Sequence, residues 1–331
     1  MTWRTRCARL PIRANWCSFV VQCMLVCAAA GAAEEVKGGG AVLEFDYSAI
    51  TNPVWRLDEM HLRDPAVLVH DGTIYLYFTY YDPKAKTWHV GMATTKDFRT
   101  FSPIAIVSPE GYASPGNVIK TDKGWCLCYQ QYREFPHYLC LAFSDDLVHW
   151  TEPKKIFNTG PENAWNADKR VIDPFLVEWN GRYYCYYVGS TRWGKPAGHN
   201  LIGVAVSDDL EQWEDASPDA PVIGVDFDWE EPDGNENNCV IRHKGRWFML
   251  YSARLGNQQI AYAWSDDLIH WEKGGLCDVP VFDASRTGFG APVIIEGLGA
   301  PGTFYMIYQG RDASHHMSFL LLESTDLVTW R

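Results

Sequence analysis

Three carboxylates stand where a repeating chain brings them to one place. Asp64 lies in RDPAV, Asp173 in VIDPF, and Glu236 in NENNCVIRHKGRWF. Counting eight residues back from the turn glycines Gly72, Gly124, Gly181 and Gly245 gives Asp64, Gly116, Asp173 and Asn237, with Ala291 as the fifth equivalent. Two aspartates therefore share one register, and Glu236 stands one step before a third such position. A single Asp-Pro pair is a common turn element and says little. Its recurrence at one register, opposite a glutamate, is far more informative. Carboxylates held together repel one another and raise at least one pKa, as a general acid near neutral pH requires. Two carboxyl groups flanking a glycosidic bond are the minimum machinery for its hydrolysis.

The elements that must position them are set by a repeat. The phrases MATTKDFRTF, AFSDDLVHW, AVSDDLEQW, AWSDDLIHW and LESTDLVTW close on Phe101, Trp150, Trp213, Trp271 and Trp330, 49, 63, 58 and 59 residues apart. Each unit orders an apolar strand, a Gly-centred turn, an aromatic strand and a third strand that runs into the phrase. A period of this size with β-type content predicts an all-β, five-bladed β-propeller. The first strand of each blade then lines the axis, and its start faces a pocket at one mouth. The Ser-Asp-Asp-Leu phrase reads as a turn capped by its own side chains, with a structural role. Segment Ala41–Tyr47 alternates like a strand and is expected to close the ring as the outer strand of unit five.

Composition bounds the function. The chain has 331 residues, 47 % hydrophobic and 14 % aromatic, enough for a large core. Residues 1–33 read as a signal peptide: Arg4, Arg6, Arg9 and Arg13, then an apolar run, then AAAGAA. An uncleaved anchor and a lipoprotein are the alternatives. The expected mature domain is 34–331, secreted or periplasmic, without stable membrane insertion after cleavage. Loss of four arginines and no acid takes the net charge from −12 to −16, which argues against nucleic-acid binding. Six cysteines remain without metal spacing; buried free thiols are expected, with Cys140 pairing to Cys126 or Cys128 as the alternative.

The mature chain resembles the five-bladed propeller glycosidases of glycoside hydrolase family 43 and its relatives. RDPAV looks like that family's general-base motif and VIDPF like the motif whose Asp tunes and orients the acid. NENNCVIRHKGRWFMLYS looks like the acid segment, with Glu236 and Gly245 at the family spacing. Asn237 and Asn238 replace its usual Gly-Pro, which leaves families 62, 117 and 130 open. The nucleophile motif of families 32 and 68 is absent. The resemblance implies a secreted, inverting hydrolase of plant or algal oligo- or polysaccharide, with Asp64 as base, Glu236 as acid and Asp173 as pKa modulator. A non-catalytic carbohydrate-binding propeller and a family 130-type phosphorylase are the competing readings.

The ends of the second strands are expected to rim the pocket. They place Arg133, Arg192, Arg254 and Arg311 there, either paired with carboxylates and hydroxyls or reading an anionic sugar. Tyr80, Trp165, Trp193 and Trp229 are candidate stacking platforms. No cofactor is required. A structural calcium near His315 or His316 is suggested by related enzymes.

Overall fold

Alternating apolar residues on Val-, Tyr- and Phe-rich runs, broken by Gly-containing turns, form strands that can only bury their faces by stacking sheet on sheet. In this computed structural model, which describes residues 42–157, 165–190 and 198–331, they do so as five antiparallel sheets, one per repeat, around an axis. The expected leader lies outside the described residues. All described residues belong to one compact unit.

Blade one comprises Arg63–His70, Thr73–Asp82, Thr87–Thr95 and Ala105–Ile106. Blade two comprises Tyr112–Ala113 with Val118–Thr121, then Gly124–Gln131, Tyr138–Ser144 and Lys154–Phe157. Blade three comprises Asp168–Trp179, Arg182–Ser190, Asn200–Ser207 and Glu214–Asp215. Blade four comprises Asn235–His243, Arg246–Ala253, Gln259–Ser265 and Trp271–Leu276. Blade five has three strands, Phe289–Ile294, Phe304–Arg311 and Met317–Ser324. The five-bladed architecture is the one the repeat predicts.

The repeated phrase caps a turn as expected. In blade two the Ser144 hydroxyl accepts from Leu147 N, and Asp146 Oδ1 accepts from the backbone of Val148 and His149. Leu147 is left-handed there, and its equivalents Phe98, Leu210, Leu268 and Leu327 are too. The turn also ties blades together: Tyr77 of blade one donates to Leu147 O at 2.7 Å, and Tyr186 of blade three to Leu268 O at 2.7 Å.

Closure departs from expectation. Leu43 pairs with the turn of blade five, donating to Gly297 O and accepting from Gly299 N. The outer edge of blade five is instead covered by residues 52–55. Trp55 and Phe319 form an antiparallel bridge, and the Asn52 amide both donates to Leu321 O and accepts from Leu321 N, each at 2.8 Å. Trp55 stacks on Phe101 at 4.3 Å and so joins blade five to blade one. A sheet edge needs backbone partners, and the segment nearest in space provides them.

The cysteines are all free among the described residues. Cys140 lies opposite Tyr129, so it faces the other side of the sheet from Cys126 and Cys128 and cannot bridge to either.

Candidate active site

The innermost strands of blades one, three, four and five are interrupted at a common place, and that of blade three carries a second shift, between Asp168 and Val171. Pairing shifts between Arg63 and Ala66, Ile172 and Phe175, Glu236 and Cys239, and Gly290 and Val293. At these bulges Asp64, Asp173, Asn237 and Ala291 take left-handed φ of 52°, 50°, 47° and 48°. In blade two the left-handed residue is Ser114, φ 48°. This corrects the expected Gly116: the first strand of blade two is split, so the count from Gly124 runs two residues short. A left-handed non-glycine residue costs about 1–3 kcal/mol, so neighbouring contacts must hold it.

Those contacts pass from blade to blade. Gln309 Oε1 of blade five accepts Asp64 N at 3.0 Å. Thr79 Oγ1 of blade one accepts Ser114 N at 2.9 Å. Gln130 Oε1 of blade two accepts Asp173 N at 2.7 Å, and Ser252 Oγ of blade four accepts Ala291 N at 2.7 Å. The end of one blade's second strand thus fixes the bulge of the next. The bulges surround a cavity of about 290 Å³ on the axis, lined by Asp64, Ser114, Asp173, Asn237, Asn238 and Ala291 among others.

Asp64 Oδ2 accepts from Thr79 Oγ1 at 2.6 Å and Ser114 Oγ at 3.2 Å. Glu236 accepts from Gln258 Nε2 at 2.7 Å and Asn200 Nδ2 at 3.1 Å, on separate oxygens. The loop that delivers Glu236 is anchored on Glu230, which is fully buried and bound by Lys273 at 2.6 Å and Asn235 at 3.0 Å. Burial pushes Asp173 well above the usual carboxylate range; Glu236 and Asp64 add repulsion, while Arg170 and Arg63 oppose it. Burial also raises Glu236, opposed first by Arg170 and assisted by Asp64. Three carboxyl groups from three blades are therefore within one another's field, and two of them favour their protons.

The cations at this site are Arg63 and Arg170, which were not expected. Arg63 is held charged chiefly by Asp64, with Tyr132, Glu236 and Asp173 contributing. Its position next to Asp64 was a signal in the sequence. Regular strand alternation, however, would turn it away, and the bulge alters that direction.

The expected rim is different. Arg311 Nη2 donates to the carbonyl oxygens of Gly256 and, at 2.9 Å, Thr287, so it clamps two loops. Its neighbour Asp312 pairs with Arg56 at 3.0 Å. Arg133 and Arg254 are exposed after the second strands of blades two and four. Arg192 and Trp193 lie outside the described residues. Tyr80 packs into the core beside Phe78, on the opposite strand face from Thr79, and is not a platform. Trp165 is likewise a packing residue: it donates to Ser217 O at 2.7 Å and lies over Gly189 and Gly203, where a Cβ would strike its ring. Trp229 is half-buried and stacks on exposed Phe227 at 5.2 Å.

His315 lies on an exposed turn, and His316 meets His61 with ring centroids 5.0 Å apart. Among the described residues no three His, Cys, Asp or Glu side chains gather as a metal site. Calcium takes six to eight oxygen ligands, and this imidazole pair does not fit that requirement.

No family model matches the chain, and no curated protein does. Solved structures do. A thermostable family-43 glycoside hydrolase is 20 % identical with a TM-score of 0.65, over 82 % of this chain and 92 % of that one. An alpha-L-arabinofuranosidase from Lactobacillus brevis is 18 % identical with a TM-score of 0.61, over 84 % and 94 %. The catalytic domain of a GH62 alpha-L-arabinofuranosidase from Coprinopsis cinerea is 14 % identical with a TM-score of 0.60, over 87 % and 96 %. The chain thus has the five-bladed propeller fold on which family-43 and related glycoside hydrolases are built.

Proposed function

We infer that the protein is a glycoside hydrolase that cleaves oligo- or polysaccharide with inversion. The observation that carries this reading is that Asp64 and Asp173 line the axial cavity and Glu236, next to the lining residue Asn237, lies within their field, with Asp173 and Glu236 pushed toward their protonated forms. Asp64 receives both of its hydroxyl donors on Oδ2, which leaves Oδ1 to accept a proton from an attacking water. Glu236 gives its proton to the departing glycosidic oxygen. Asp173, held by Gln130 through its backbone, stands beside Glu236 and orients it, while burial and the Asp64 charge keep the proton affinity of Glu236 high. An inverting pair needs about 6.5–9.5 Å between base and acid to admit that water.

Solved structures with this fold include two alpha-L-arabinofuranosidases and an endo-1,4-beta-xylanase, so pentose-containing glycans are the first substrates to try. Arg63 and Arg170 beside the carboxylates, with Arg133 exposed next to Tyr132, support a substrate that also bears carboxylate or sulfate groups. Its turnover should weaken as salt screens those charges. A leader at residues 1–33 would place the enzyme outside the cytoplasm, where cell fractionation would find it.

The test is reducing-sugar release from arabinan, arabinoxylan and polygalacturonate. Wild type should release sugar from at least one polymer. Glu236→Gln and Asp64→Asn should be slower by several orders of magnitude while melting cooperatively. Unchanged turnover in Glu236→Gln removes the acid assignment, and binding without hydrolysis by wild type favours a non-catalytic propeller.

A further inference from the structure

Beside the base, a second cavity of about 160 Å³ is lined by Arg63, Asp64, Thr79, Trp88, Ser114 and Tyr132. Trp88 and Tyr132 begin a continuous line of rings. Trp88 and Tyr132 have centroids 6.2 Å apart across the seam between blades one and two. Tyr132 meets His137 at 5.2 Å, and His137 stacks on Phe135 at 4.2 Å with 18° between planes. The line therefore runs from the wall of the Asp64 cavity to Phe135, which is 58 % exposed at a loop tip.

The seam is built to hold these rings in place. Gly111 donates to Trp88 O at 2.8 Å and accepts from Tyr132 N at 2.7 Å, so the two ring-bearing backbones are tied through one residue. Gly111 has φ +83°, and a Cβ there would lie 2.8 Å from Arg133 Cβ; a side chain would push the loop away. His137 is kept neutral, since burial and Arg170 take its pKa down to about 4. Buried between Tyr132 and Phe135, it backs the line as a neutral ring rather than meeting a ligand. The Arg63 guanidinium lies 6.0 Å from the Trp88 ring centre, and its buried Nε has no hydrogen-bond partner. Flat apolar faces edged by guanidinium donors match a pyranose or furanose chain, whose C–H faces stack and whose hydroxyls accept.

We propose that Trp88, Tyr132 and Phe135, backed by the buried His137, form an extended carbohydrate-binding track that carries successive sugar units of a polysaccharide away from the Asp64 cavity. This rests on the glycosidase reading for the bond that is cleaved, but binding along the track does not need cleavage. The track makes the substrate a polymer or long oligosaccharide rather than a single terminal sugar on a small aglycone.

The test separates the two. Glu236→Gln protein is run in native gels containing arabinan, arabinoxylan or polygalacturonate, alone and combined with Phe135→Ala or Trp88→Ala. Phe135 is exposed, so its removal should leave the melting temperature unchanged. At least one polymer should retard the Glu236→Gln protein. Phe135→Ala should weaken that retardation several-fold and Trp88→Ala roughly tenfold, in line with the loss of a stacked ring. Retardation that survives both substitutions, or no retardation in any of the three gels, overturns the track. Retardation lost in both variants while wild type hydrolyses nothing upholds the track and removes only the hydrolase reading.

Discussion

The backbone N–H of Asp64 in the first blade donates to the side-chain oxygen of Gln309 in the last, at 3.0 Å. One hydrogen bond thus crosses the seam of the ring and fixes the left-handed residue that carries the candidate base. Gln309→Ala orphans that buried donor and should cost about 1–3 kcal/mol, read by chemical denaturation. Turnover should fall with it, because Asp64 loses the contact that sets its backbone. Unaltered stability in Gln309→Ala would show that the bulge holds itself.

The Asn52 amide makes two hydrogen bonds to the backbone of Leu321 at the edge of blade five. Asn52→Ala leaves Leu321 N unpaired and Leu321 O with the Tyr47 hydroxyl as its remaining donor, and should destabilise the domain by about 1–3 kcal/mol. Substitutions within residues 42–44, which bridge to the turn at Leu298, should weaken the ring less. Equal melting temperatures for Asn52→Ala and wild type would exclude residues 52–55 as the closure.

Burial raises the Asp173 carboxyl in the folded protein above its value in the unfolded chain. The folded state then holds that proton more tightly. The stability this contributes is complete below about pH 4, the unfolded value, and is lost as pH rises through the folded one. Asn cannot ionise, so Asp173→Asn should match wild type in melting temperature at pH 3.5 and exceed it at pH 8. The same variant should shift the pH profile of turnover, since the repulsion that ties the titration of Asp173 to that of Glu236 is gone. A variant less stable at pH 8 than wild type would mean that Asp173 is favourably ionised.

Cys126, Cys128, Cys140, Cys185 and Cys239 are buried and free, and burial pushes Cys128, Cys239 and the half-buried Cys277 up to about 12. A thiolate is the reactive form. These six thiols should therefore resist Ellman's reagent in the native protein and react on denaturation. Fast reaction in the native state would mean that the sheets open.

The sequence alone determined the five blades. Strand alternation, turn glycines and the repeated Ser-Asp-Asp-Leu phrase are local, and they specify local structure wherever they occur. It also determined that Asp64, Asp173 and Glu236 come together, because a repeat puts equal registers on one axis. The tertiary structure decided what no local pattern encodes. The split first strand of blade two moved the equivalent position from Gly116 to Ser114. The strand-like alternation of Ala41–Tyr47 did not decide the edge of blade five, which residues 52–55 cover. The bulges brought Arg63 and Arg170 to the carboxylates while Arg311 went to loop carbonyls. Side-chain direction at a bulge and partner choice across a seam depend on atoms distant in the chain, and only the folded ring brings those atoms together.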